Sequence, residues 1–224
     1  LSCYDDGSCI DPIIGCTNPF AANFDPIANT TVAFGGALDN SFASGGYFNG
    51  NQHLIFDSYK ECVIKSSIIY SESFNTVTFE LRDNTGNVID DTTLSLVSGA
   101  QRIHLNFNVP IATDMQLGVA NNALQANGLY RNNSGATYPY NIGSAINIIS
   151  SSANTDPYSY YYFFYDIEVE IICDDNLTGV NNITNSKKLI KSIDVLGREV
   201  KGQKNRPLFD IYDDGTVKKK IVLE

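Results

Sequence analysis

A two-residue rhythm of apolar and polar side chains runs through the middle of this chain and constrains its fold more than any other feature. Val77, Phe79 and Leu81 alternate with Thr78 and Glu80. Ile103, Leu105, Phe107 and Val109 alternate with His104, Asn106 and Asn108, and Ile167, Val169 and Ile171 with Asp166, Glu168 and Glu170. Side chains of a strand point to opposite faces in turn, so this period marks antiparallel sheet with one face packed and one wet. Strand-like runs recur at Gln52–Phe56, Cys62–Ser71, Thr76–Arg82, Thr93–Val97, Arg102–Val109, Met115–Val119, Ala145–Ile149 and Tyr158–Ile172. No segment shows a sustained helical stripe. The 13 Tyr and 12 Phe suit pleated, half-buried surfaces. Asp83-Asn84-Thr85-Gly86-Asn87 supplies a hairpin-type connection, and Pro110, Pro139 and Pro157 fall between runs. The expected fold is all-β: an antiparallel, jelly-roll-like β-sandwich over residues 31–174.

Charge divides the chain. Residues 1–186 hold 5 Lys/Arg against 19 Asp/Glu, net −14, whereas residues 187–224 hold 10 against 6, net +4. An acidic body with a basic tail points to two different jobs. The overall charge of −10 argues against nucleic acid as a partner. No run of about 18 apolar residues exists, so no transmembrane helix is expected. Residues 175–186, rich in Asn, Thr and Asp, read as a linker.

The first 30 residues contain three of the five cysteines and little else that could form a core. Cys3, Cys9, Cys16, Cys62 and Cys173 are expected in disulfides of an oxidising compartment, with pairing undetermined and an odd thiol left over. Zinc is the rival, but there is no CxxC and no neighbouring His. Asp5, Asp6, Asn23 and Asp25 offer oxygen ligands for calcium, against the plainer reading that they build turns. Cys3 to Cys9, followed by Gly15 to Asn29, resembles a short Cys/Asp repeat found in tandem in exported Bacteroidota proteins. That resemblance implies a spacer or stalk at residues 1–30. The start at Leu1, in mid-pattern, leads us to expect a fragment or processed product with its targeting segment upstream.

The tail holds three strand candidates, Lys188–Val195, Leu208–Tyr212 and Val217–Leu223, with a turn at Asp213–Thr216. Ile193-Asp194-Val195-Leu196-Gly197-Arg198-Glu199-Val200, Pro207–Val217 and Lys218–Glu224 together resemble the C-terminal sorting signal of type IX secretion cargo. Asp194, Gly197, Arg198, Tyr212, Asp214, Gly215, Lys219 and Lys220 carry the resemblance, and the upstream YPNP segment of the common form is absent. The resemblance implies a secreted protein at the outer surface of a Gram-negative bacterium, with type IX outer-membrane components as the partners of residues 187–224. The body is similar to a β-module that precedes such tails, in Arg102–Pro110, Gln116–Val119, Leu129–Gly135, Tyr138–Tyr140 and Tyr160–Tyr165. Asp91-Thr92-Thr93 resembles a short O-glycosylation signal of the same bacteria, which implies modification at Thr92.

Chemistry is sparse. The chain has two His, His53 and His104, and none of HExxH, GxSxG, a phosphate loop or GxGxxG before a helix. The expected function is therefore non-catalytic: a presentation or structural module. The alternative is an adhesin-like module binding carbohydrate or another surface ligand, built from Asn- and Tyr-rich loops. Asn49, Asn51, Arg131, Asn132, Tyr138 and Tyr140 are the candidate ligand contacts, with surface glycans the candidate ligand. An appendage of an upstream hydrolase is a third reading. The competing reading of the Tyr-rich stretch is packing across strands.

Overall fold

A computed structural model describes residues 12–121, 128–174, 189–200, 207–213 and 215–221. Among the described residues, thirteen strands build the first of two compact units, which spans Leu1–Asn176. They are β1 (Val32–Gly35), β2 (Gly45–Phe48), β3 (Leu54–Ser58), β4 (Cys62–Ser71), β5 (Asn75–Arg82), β6 (Val88–Leu96) and β7 (Gly99–Val109). There follow β8 (Ala112–Val119), β9 (Leu129–Asn132), β10 (Tyr140–Ile142), β11 (Ile146–Ser151), β12 (Tyr161–Tyr162) and β13 (Tyr165–Ile171). Every pairing between these strands is antiparallel.

The winding is that of a jelly roll. Four antiparallel pairs nest inside one another: β1 with β13, β3 with β8, β4 with β7, and β5 with β6. One sheet runs β1-β13-β4-β7 and the other β3-β8-β5-β6. A ribbon of four such pairs, rolled once, gives two facing sheets and explains why the first strand lies beside the last. Two excursions interrupt the roll. One carries β2 between β1 and β3, and the other carries β9–β12 between β8 and β13. β10 and β11 extend one sheet beyond β3, while β2, β9 and β12 extend the other.

The alternating runs bury the faces their pattern dictates. Val77, Phe79 and Leu81 are buried, as are Ile103, Leu105, Phe107 and Val109, and Ile167, Val169 and Ile171. Each such side chain contributes about 1.5–3 kcal/mol relative to exposure. Phe79 of β5 meets Phe164, in the turn between β12 and β13, edge to face with centroids 5.8 Å apart. Tyr158–Ile172 is not one strand. Phe163 has φ of +66° and turns the chain, so β12 pairs with β9 while β13 pairs with β4. Tyr161 to Tyr165 are all buried, on both sides of that turn.

The segment from residue 12 to residue 30 is stitched to the end of β13. Cys16 and Cys173 form a disulfide across 157 residues of sequence. Asn23 accepts from the Asp174 N–H at 2.8 Å and donates to the Ile172 carbonyl at 2.8 Å, and the Ala22 N–H donates to the Asp174 carbonyl at 2.8 Å. Cys62 corrects the expectation that placed it among the disulfide cysteines: it is a free thiol. It opens β4 facing the core, 3.9 Å from the Ser58 hydroxyl, and burial pushes its pKa up to about 11. Cys3 and Cys9 lie outside the described residues.

The second unit spans Leu177–Glu224. It holds one antiparallel sheet of β14 (Leu189–Ile193), β15 (Pro207–Tyr212) and β16 (Val217–Ile221), in that order. Leu208 is its buried apolar side chain among the described residues, and Asp210 is buried beside it, bonded to the Ser192 hydroxyl.

Candidate functional site

The two excursions meet. β2 pairs with β9 through Tyr47↔Tyr130 and Phe48↔Leu129, and β12 pairs with the other edge of β9 through Tyr162↔Arg131. Successive residues of β9 point to opposite faces, so Arg131 and Asn132 part company. Asn132 turns inward and is fully buried. Arg131 stays half-buried among rings: its guanidinium carbon is 4.2 Å from the Phe48 centroid, 4.8 Å from Tyr160 and 5.7 Å from Tyr162. Such contacts contribute about 0.5–2 kcal/mol each and fix the plane of the cation. Tyr160 and Tyr162 are themselves stacked at 6.0 Å. Burial raises the pKa of the Tyr162 phenol, and Arg131 opposes that shift.

These residues line an open groove of about 190 Å³ together with Gln52, Ala153, Asn154 and Thr155. Gln52 opens the approach to β3, and its Oε1 is buried with no hydrogen-bond partner. Gly50 lets the connecting loop fold this tightly. A Cβ there would come within 2.3 Å of the Phe48 ring and 2.4 Å of Gln52 Oε1. Among the described residues no carboxylate pairs with Arg131. The ion pairs of the body instead engage Lys65 with Glu170, Arg82 with Glu80 and Arg102 with Asp166.

The other expected ligand contacts are dispersed. Asn132 is an internal strut, not a ligand contact: its Nδ2 donates to the carbonyls of Asn40 (3.0 Å) and Ala43 (2.8 Å), and its Oδ1 accepts from the Tyr165 hydroxyl at 2.8 Å. Tyr138 spends its hydroxyl on the Tyr160 carbonyl at 2.8 Å and stacks on Tyr161 at 6.2 Å. Tyr140 accepts from the Thr137 N–H at 3.0 Å. Both rings are half-buried and prop the strand that presents Tyr160. Asn49 is exposed. Asn51 donates to Asn121 and lines a different cleft, of about 320 Å³, with Glu80 and Arg82. Arg131 alone of the six reaches the groove. Tyr160 and Tyr162 belong to the Tyr-rich stretch of the sequence, whereas Gln52, Asn154 and Thr155 carry no signal there beyond being polar.

Of the calcium candidates, Asn23 is committed to backbone groups and Asp25 accepts from the Ile27 N–H at 3.1 Å, as turn-building residues do. Asp5 and Asp6 lie outside the described residues, and no group of three or more His, Cys, Asp or Glu converges among the described ones. Thr92 is half-buried on β6, opposite Phe79. The His53 imidazole is held down to about 4 by burial, with the Arg82 charge adding to the effect.

In the tail, Asp194 organises the turn after β14. Its carboxylate accepts from the N–H groups of Leu196 (2.9 Å) and Arg198 (3.0 Å) and pairs with the Arg198 guanidinium at 2.9 Å. Gly197 and Gly215 both have φ of +78°, a left-handed conformation that glycine adopts without steric cost. Lys219 and Lys220 are exposed on β16, Lys220 lying 3.9 Å from Asp210. Tyr212 carries the Lys218 ammonium over its ring at 5.9 Å. Asp214 lies outside the described residues. No family model matches the chain, and no curated protein or solved structure matches it.

Proposed function

We propose that this chain is the non-catalytic, surface-displayed part of a secreted bacterial protein. Its jelly roll serves as a presentation module, and residues 187–224 direct export through type IX outer-membrane components. One observation carries the reading. The basic tail is a compact unit of its own, with β14 and β16 flanking a single central strand. Each outer strand therefore has one edge without a neighbour in this sheet among the described residues. An open strand edge is a template for adding a strand from another protein. Three short strands bury little, so such a unit gains from docking elsewhere. The Asp194–Arg198 turn and the left-handed Gly197 and Gly215 preserve its shape at the motif positions.

The test is transplantation. Residues 175–224 fused behind a periplasmic reporter in a host with a working type IX system should bring the reporter to the cell surface. The same fusion in a host lacking the outer-membrane translocon should stay periplasmic. Surface display in both hosts, or in neither, overturns the proposal.

A further inference from the structure

We propose that the groove around Arg131 binds a sugar residue bearing a carboxylate. This goes beyond the export reading and does not depend on it.

The anionic part of the ligand follows from Arg131. The stretch 1–186 carries net −14, and three of its five basic side chains are neutralised by carboxylates. Arg131 is instead held by three rings at the wall of a concavity. A guanidinium stacked on rings keeps its N–H donors in its own plane, where a carboxylate is gripped at two points. The aromatic frame also lowers the entropy lost when that grip forms.

The sugar follows from the polar side chains beside the rings. Gln52, Asn154 and Thr155 line the same groove. Amides and hydroxyls both donate and accept, as the hydroxyls of a sugar ring do, whereas a bare carboxylate only accepts. Asn154 and Thr155 are both exposed, so their donors and acceptors are open to a ligand.

Size suits one ring at the aromatic wall. A groove of about 190 Å³ is smaller than the roughly 300–1,000 Å³ of sites that enclose drug-sized molecules.

The probes are methyl β-D-glucuronide and methyl α-D-galacturonide, titrated into the full chain and followed by amide and side-chain NMR shifts. At least one should give saturable shifts at the Gln52 and Asn154 side-chain amides. Methyl β-D-glucoside, acetate and inorganic phosphate should each bind at least tenfold more weakly. Arg131→Gln should weaken the bound uronide at least tenfold. The rim variant N154A/T155A, whose changes are exposed and leave the sandwich intact, should weaken it about threefold. Binding should also fall as salt rises from 50 to 500 mM. Absence of saturable shifts with both uronides overturns the proposal. So does acetate, phosphate or the neutral glucoside binding as well as the uronide, or undiminished binding by both the Arg131 variant and the rim variant.

Discussion

Asn132 uses all three of its hydrogen bonds inside the sandwich, tying the 40–43 loop to β9 and β9 to the Tyr165 ring. Replacing it with alanine strands two carbonyls and a phenol at once. Asn132→Ala should cost about 3 kcal/mol, while Tyr165→Phe, which removes one donor, should cost about 1 kcal/mol. Urea denaturation of both variants checks the order, and a smaller loss in Asn132→Ala would show that the loop finds other partners. His53 sets a pH dependence of the opposite sign to that of a salt-bridged histidine. Its folded pKa of about 4 lies below the unfolded value of 6.5, through burial and then through Arg82. The unfolded chain therefore binds the extra proton first, and stability falls as pH drops from 6.5 towards 4 and is level on either side. Stability curves between pH 4 and 7 should be flatter for His53→Gln than for the unmodified chain. Equal slopes would place the titration elsewhere.

At the level of strands, the alternating runs were readable because one face of each is wet. β4 spans the residues expected of it, and β5, β7 and β8 contain the predicted runs and begin one to three residues earlier. β6 begins at Val88 rather than Thr93, because an edge strand exposes much of its length and shows no buried stripe to read. β1, β2, β9 and β10 are three or four residues each, too short to establish a period. Two of them, β2 and β9, nevertheless place Phe48 and Arg131 at the groove. The aromatic run was ambiguous for a different reason. With rings at nearly every position it fits either face, and only the turn at Phe163 decides which rings are core. Gln52 and Thr155 could not be singled out, since their role depends on a loop from each of two distant excursions closing on one point. The Arg131 position was legible as a candidate, but its ring cage requires the register Tyr162↔Arg131.

For the whole molecule, the sequence pointed to a jelly-roll-like sandwich, but the route of the chain through its pairs became visible only in the structure. That route places the beginning and the end of the acidic body at one corner, where Cys16 and Cys173 are joined. The arrangement has a mechanical result. Tension applied to the chain outside those two cysteines passes through the covalent bond and bypasses the sheets. Pulled by residues on either side of the body, the oxidised protein should release none of the chain enclosed between them, a sequence separation of 157. After reduction the same pull should free roughly 500 Å of contour, at the rise of an extended chain. A single-molecule force trace in which the oxidised form also lengthens by that amount would rule the bypass out. As long as the bond holds, tension at its two ends cannot unravel the module that carries the Arg131 groove.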